Sequence, residues 1–207
     1  MKKMKFLKVL ILVVSMSVLT GCASTYKTMN LNGLNYTSKS VRKDVLLEYK
    51  YEVLSKKYKK KELSKGVRLL AVKITNNSAK DLIFGSDIKL VYDDGTSPYI
   101  MGNESIYASL KQNTASYLLY LLLSPLQLMK TENIGTRIET KSTPIGLIIG
   151  PGLAVGNMIT SSSSNKKFQQ DLLNHNINGM TIKVGKSISG LIGIRSDAYN
   201  AINIKVE

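Results

Sequence analysis

Residues 67–78, VRLLAVKITNNS, hold the clearest structural signal in the chain. Leu70, Val72 and Ile74 occupy alternate positions, so an extended backbone turns all three to one face. Asn76–Ser78 follows with the residue types that favour a turn. The stretch therefore predicts a strand with one apolar face directed into a core.

The same alternation recurs on both sides of this strand. Asp93–Gly95 is a strong turn signal between two such segments. Short strands about ten residues apart, joined by Asn, Asp and Gly turns, favour an antiparallel β-sandwich. Further strands are predicted at 45–53, 82–84, 88–92, 98–101, 181–184, 188–195 and 201–206.

This arrangement resembles the immunoglobulin-like modules of unknown function found in bacterial lipoproteins and secreted proteins. The resemblance covers about residues 44–100 and 180–207, including the late strand Ser187–Ile194. It implies an immunoglobulin-like β-sandwich and an envelope location, and it brings no known catalytic residue. The residues that carry it are Val72, Ile74, Asn76, Asn77, Asp81, Leu82, Asp87, Ile88, Leu90, Asp94 and Gly95.

Residues 104–176 depart from this period of two and predict a helical insertion into the sandwich. Ala115–Met129 and Pro144–Ile159 are apolar, and Lys166–His175 predicts a short amphipathic helix after a polar break of four serines. Each apolar run is shorter than the roughly 20 residues that a membrane-spanning helix needs. The sequence therefore disfavours a transmembrane hairpin.

Three roles stay open for this apolar, glycine-rich insertion. It covers an open face of the sandwich, lies in the membrane surface, or binds another protein or a second copy. Gly146-xxx-Gly150 and Gly152-xxx-Gly156 place glycines one helical turn apart, which allows close backbone packing. The candidate membrane or partner contacts are Leu118, Leu121, Leu122, Ile145, Ile149 and Leu153.

The N-terminal residues have the order of a secretory leader. Met1–Lys8 carries four lysines, and Val9–Leu19 is an apolar run of eleven residues. Leu19, Thr20, Gly21 and Cys22 follow, and this order resembles the lipobox of bacterial lipoproteins. Cys22 is also the only cysteine in the chain.

The lipobox resemblance implies a domain organisation and a location. Residues 1–21 are expected to be a lipoprotein signal peptide, 22–43 a flexible tether and 44–207 the β-sandwich domain. Cys22 is expected to carry the acyl chains, palmitate among them, that attach the protein to a bacterial envelope membrane. Ala23 and Ser24 supply no acidic retention residue, which favours the outer over the inner membrane.

The chain is strongly basic, which favours anionic partners. Without the leader's four lysines, 25 Lys and Arg stand against 14 Asp and Glu, a net charge of +11. An exported lipoprotein is expected to meet anionic lipid or an envelope protein rather than nucleic acid. One lysine cluster fits either a solvated hairpin tip or an anionic-surface patch: Lys56, Lys57, Lys59, Lys60 and Lys61.

No catalytic or metal-binding pattern is evident in the sequence. His175 is the only histidine, and no Cys and His cluster is present. We therefore expect a protein without enzymatic activity or cofactor, acting as a binding or assembly module at the membrane surface. Two alternatives remain: a structural accessory subunit of an envelope transport or secretion complex, and a carrier of an apolar ligand.

Overall fold

The computed structural model describes residues 21–134 and 137–207, which form two compact units. We call residues 21–25, 112–134 and 137–164 the insertion unit, and residues 26–111 and 165–207 the sheet unit. The described residues contain eleven strands, three α-helices and two 3₁₀ helices. The predicted leader lies outside the described residues up to Thr20.

A five-stranded antiparallel sheet in the order β1-β2-β3-β10-β6 is the centre of the sheet unit. Its strands are β1 (Ser38–Arg42), β2 (Val45–Lys50), β3 (Val67–Asn76), β6 (Tyr99–Met101) and β10 (Lys186–Arg195). Two antiparallel ribbons accompany it. They pair β5 (Ile88–Tyr92) with β11 (Ile202–Val206) and β4 (Leu82–Ile83) with β9 (Thr181–Ile182).

The central strand β3 is buried on both faces because each face packs against a different layer. Leu70, Val72 and Ile74 join a core with residues of the β5–β11 and β4–β9 ribbons. Leu69 and Ala71 point the other way, into a second core made with helices. The predicted apolar face is confirmed, and the opposite face is apolar as well.

The helical layer of the sheet unit consists of α1 (Lys56–Ser64), α2 (Asn103–Leu110) and the end of α3 (Gly146–Asn174). Tyr58 of α1, Ile106 of α2 and Phe168 of α3 are almost fully buried in the second core. Strand β10 allows this close approach because it carries glycine opposite α2. A Cβ at Gly193 would lie 2.5 Å from Ile106 Cδ1.

The insertion unit contains a 3₁₀ helix (Thr114–Leu123), a hairpin of β7 (Leu128–Ile134) and β8 (Arg137–Thr143), and α3 up to Ser164. The prediction of a helical insertion over 104–176 is therefore wrong for the hairpin. The four-serine break is also wrong, since it lies inside α3 with Ser161 and Ser164 buried.

The predicted tether over residues 22–43 differs from the structure. Tyr26 and Leu31 are buried in the second core, a 3₁₀ turn covers Leu31–Gly33, and β1 occupies Ser38–Arg42. The sequence predicts a start of the ordered chain at Asp44, because Tyr26 and Leu31 are single apolar residues among polar ones. Ordered structure begins well before that residue.

The lysine cluster lies between strands β2 and β3, but the alternative of a solvated hairpin tip is wrong. It forms helix α1, whose buried positions Tyr58 and Glu62 are spaced by four residues. Glu62 Oε1 accepts a hydrogen bond of 2.8 Å from Leu69 N and so joins α1 to β3. A buried glutamate looks like a surface residue in sequence, which conceals the helical period.

The fold is mixed α/β around a main antiparallel sheet. The predicted antiparallel strands are confirmed, most of them to within a few residues at each end. A mainly β class is too narrow, because helices cover one face of the sheet and α3 alone runs for 29 residues.

Glu62 gives the fold a specific pH dependence. Burial raises the pKa of its carboxyl to about 7, against the hydrogen bond from Leu69 N and the charge of Arg68. The folded protein therefore holds a proton that the unfolded chain releases above about pH 4.5. Glu62 therefore contributes fully to the free energy of unfolding below about pH 4.5. This contribution decreases as the pH rises from 4.5 to 7, and above pH 7 it does not change further.

We expect the Glu62→Gln variant to lose this decline in stability between about pH 4.5 and 7. The pKa difference corresponds to about 3 kcal/mol of unfolding free energy across the transition. Urea unfolding at a series of pH values measures it. Parallel pH profiles for the wild type and the variant would show that Glu62 is ionised in the folded state.

Candidate functional site

The residues that follow Cys22 are fixed within the insertion unit. Ala23 N donates to Asn157 Oδ1 of α3 at 2.5 Å. Ser24 and Gln112 exchange two hydrogen bonds, of 2.9 Å from Ser24 N and 2.6 Å to Ser24 O. Cys22 itself is exposed. An acyl group on its sulfur would therefore leave from a well-defined point of this unit.

The 3₁₀ helix places two tyrosines beside this point. A 3₁₀ helix has three residues per turn, so Tyr117, Tyr120 and Leu123 form one column. This column packs on Ala154 of α3, and the two tyrosine rings stack with centroids 6.4 Å apart. Burial raises the pKa of Tyr120, and the adjacent Cys22 raises it further. Cys22 thus lies against the inward column.

The other two columns of the 3₁₀ helix carry four leucines that face solvent. A period of three that turns the tyrosines inward leaves no buried position for their neighbours. Leu122 keeps 75% of its accessible surface. The four exposed leucines are Leu118, Leu119, Leu121 and Leu122.

The first half of α3 adds a second group of exposed apolar side chains in the same unit. Ile148 is the most exposed of them, at 79%. The full group is Leu147, Ile148, Ile149, Val155 and Ile159. Monomeric proteins rarely leave so many large apolar side chains in water within one small unit, and such surfaces mark membrane or protein contacts.

The predicted contact residues divide into two sets in the structure. Leu118, Leu121, Leu122 and Ile149 are exposed, while Ile145 and Leu153 are partly buried. The sequence analysis missed Leu119 because a helical period of 3.6 does not identify the columns of a 3₁₀ helix. It also omitted Leu147 and Ile148 of α3, which are exposed.

The β7–β8 hairpin is exposed on both faces at every position whose side chain is described. Leu128, Met129 and Ile138 are among its exposed residues. Lys130 lies opposite Lys141, and Glu132 lies opposite Glu139. Like charges directly across a strand pair are unfavourable, and an isolated two-stranded hairpin is marginal in water. The hairpin thus adds to the solvent-exposed surface of the insertion unit.

The predicted lysine patch is distributed along helix α1 in the sheet unit. Lys56 and Lys60 are exposed, and Lys59 Nζ pairs with Glu52 at 2.6 Å. Lys61 Nζ donates to Lys111 O. Lys57 is half-buried beside them.

The sheet unit also contains an open cleft of about 440 Å³. Phe84, Met101 and Leu191 supply apolar walls, and Asn103 and Asn178 supply amides. Across residues 21–134 and 137–207, no three His, Cys, Asp or Glu side chains are grouped to hold a metal ion.

The comparisons with known proteins give no family for the chain. No family model, curated protein or solved structure matches it. Among the described helices, none combines the length and apolar character needed to cross a bilayer.

The four glycines of the insertion differ in their surroundings. A Cβ at Gly146 would lie 2.1 Å from Leu123 O and 2.6 Å from Ser124 O, and one at Gly150 would lie 3.0 Å from Tyr120 O. Gly152 and Gly156 have nothing within 4 Å of that position. Close backbone packing, predicted for both pairs, is confirmed for the first and wrong for the second.

We therefore expect Gly146→Ala and Gly156→Ala to shift stability in opposite directions. Gly146→Ala forces the 3₁₀ helix away from α3 and should destabilise the protein by about 1–3 kcal/mol. Gly156→Ala meets open space and should stabilise α3 by roughly 1 kcal/mol. Thermal unfolding in detergent measures both. Equal destabilisation by the two variants would contradict the packing described here.

Proposed function

We propose that the protein is a bacterial envelope lipoprotein, anchored through acylated Cys22, whose insertion unit contacts the lipid bilayer. It acts without enzymatic chemistry, as a binding or assembly module at the membrane surface. One observation supports this above others: Cys22 and the exposed leucines belong to the same compact unit. The hydrogen bonds of Ala23 and Ser24 hold the acylation point in that unit.

The energetics favour lipid over water for this surface. Moving a half-exposed leucine into an apolar environment contributes roughly 1 kcal/mol, so four exposed leucines add several kcal/mol to the acyl anchor. The runner-up occupant is a protein subunit of an envelope transport or secretion complex. The exposed hairpin favours that alternative, because an unpaired strand edge can accept a strand from a partner.

We assign the sheet unit to the immunoglobulin-like β-sandwich class. The five-stranded sheet and the β5–β11 ribbon share one apolar core, in which Leu47, Ile74 and Ile204 are buried together. The location we propose is the outer membrane, since neither Ala23 nor Ser24 is acidic.

Acylation at Cys22 is the first test. Cells that express the wild type and are fed a fatty-acid analogue should incorporate it into the protein. Cys22→Ser should incorporate none and remain at precursor size, whereas Ser24→Ala, two residues away, should be labelled normally. A wild-type protein without label would overturn the anchor.

Contact of the leucines with lipid is the second test. A photoactivatable lipid in vesicles that hold the acylated protein should label Leu118–Leu122 and Ile148. Val41 and Tyr99, which are exposed apolar residues of the sheet unit, serve as reference positions. The Leu119→Ser/Leu122→Ser variant should reduce labelling of the 3₁₀ helix and shift the unfolding free energy by about 0.5 kcal/mol at most.

Two results would contradict bilayer contact by these leucines. Label spread equally over Val41, Tyr99 and the leucines would show that the surface has no preference for lipid. A large loss of stability in the double variant would show that the leucines are ordinary core.

A further inference from the structure

The chain just after the lipobox is anchored in the sheet unit by a buried carboxylate. Asp171 of α3 is 1% exposed. Its Oδ2 accepts hydrogen bonds from Tyr26 Oη at 2.7 Å and from Met29 N at 2.9 Å. Tyr26 lies only four residues after Cys22. Four extended residues span at most about 14 Å, so the chain offers only a short connection between Cys22 and the anchored Tyr26.

Helix α1 packs directly on this anchored segment. The Tyr26 ring meets Tyr58 of α1 edge-on with centroids 5.2 Å apart, and it meets Phe168 of α3 at the same distance. Tyr58 is almost fully buried, so its helix cannot move away from Tyr26 without opening the second core. The lysine-bearing helix therefore shares its core with Tyr26, which follows Cys22 by four residues in the chain.

These lysines form a dense positive cluster with two that lie outside the helix. The pKa of Lys61 is lowered by burial and by the charges of Lys65, Lys111 and Lys57. Its Nζ is satisfied by a carbonyl oxygen, Lys111 O, rather than by a carboxylate. Lys59 differs, since Glu52 neutralises it. Lys57 and Lys65 lie four residues before and after Lys61, about one helical turn on each side, so these cations share one side of α1.

We propose that this cluster binds the anionic phospholipid headgroups of the membrane that holds Cys22. The inference rests on the proposed acylation. The proposed patch differs from the predicted one, because it excludes Lys59 and includes Lys65 and Lys111. Its members are Lys56, Lys57, Lys60, Lys61, Lys65 and Lys111. Headgroup phosphates are the anions nearest to a protein anchored this closely, and they relieve the mutual repulsion of the lysines. Screening limits such attraction to about 8 Å at physiological salt, which makes the short anchor essential.

Amine modification of the acylated full-length protein in vesicles tests the proposal. The vesicles contain phosphatidylcholine alone or mixed with phosphatidylglycerol, and mass spectrometry gives the acetylation rate of each lysine. We expect the rates at Lys56, Lys60 and Lys65 to fall about fivefold in the anionic vesicles, and high salt to restore them. Exposed lysines of the sheet unit away from α1, Lys80, Lys183 and Lys186, should react equally in both.

Two triple variants with equal charge provide the matched control. Lys56→Gln/Lys60→Gln/Lys65→Gln should remove the protection of Lys57, Lys61 and Lys111 in anionic vesicles. Lys80→Gln/Lys183→Gln/Lys186→Gln should leave that protection intact. All six positions are exposed, so both variants should fold.

The outcomes separate this proposal from the anchor on which it rests. A protein that does not float with neutral vesicles contradicts the anchor and, with it, the patch. A protein that floats with both vesicle types but shows no protection contradicts the patch alone. Protection of equal size in neutral and anionic vesicles would show contact without charge recognition and would overturn the assignment to anionic headgroups.

Discussion

The pairing of β3 with β10 is the constraint on which the rest of the structure depends. Ten residue pairs join Val67–Asn76 to Lys186–Arg195 in antiparallel register. More than a hundred residues lie between the two strands, so their pairing closes a long loop whose entropy must be offset by burial. That burial comes from both faces of β3, because each face has its own apolar core. The ribbons and the helical layer of the sheet unit are arranged around this pair.

Helix α3 contributes residues to both compact units. Residues up to Ser164 belong to the insertion unit, where Ala154 is buried and Ile148 exposed. From Asn165 onward the helix supplies Phe168 and Asp171 to the second core. One continuous helix thus contains both the exposed residues proposed to contact lipid and the carboxylate that holds Tyr26.

The strands of the sheet unit are well predicted from the sequence because each one buries one or both of its faces in a regular pattern. Val72 and Ile74 show the period of two directly, and burial alternates in the same way along β2, β5 and β11. Helix α1 was not predicted because its buried face includes Glu62. A charged residue at this position hides the four-residue spacing from Tyr58 that is typical of a helix. The β7–β8 hairpin was not predicted for a different reason. Neither of its faces is buried at the described positions, so its sequence need not alternate between apolar and polar residues.

The composition of the sequence shows that the candidate site is apolar, but it does not show which of its residues are exposed. Runs of leucine and isoleucine identify the insertion as apolar, whereas the 3₁₀ geometry decides which leucines are exposed. Propensity also gives no sign that Asp171 is buried, since aspartate is normally a surface residue. The anchoring of Tyr26 by Asp171 therefore had no signal in the sequence.

That anchoring has a mechanical consequence. A flexible tether would take up a pull on the N-terminal residues by extension, so little force would reach the folded protein. Here a pull on Cys22 acts first on the hydrogen bonds of Ala23 and Ser24. Once these break, it acts on the Tyr26–Asp171 hydrogen bond and on the ring contacts of Tyr26 with Tyr58 and Phe168. Displacement of the N-terminal residues is thus transmitted to helix α3 and to the lysine-bearing helix, rather than absorbed by slack chain.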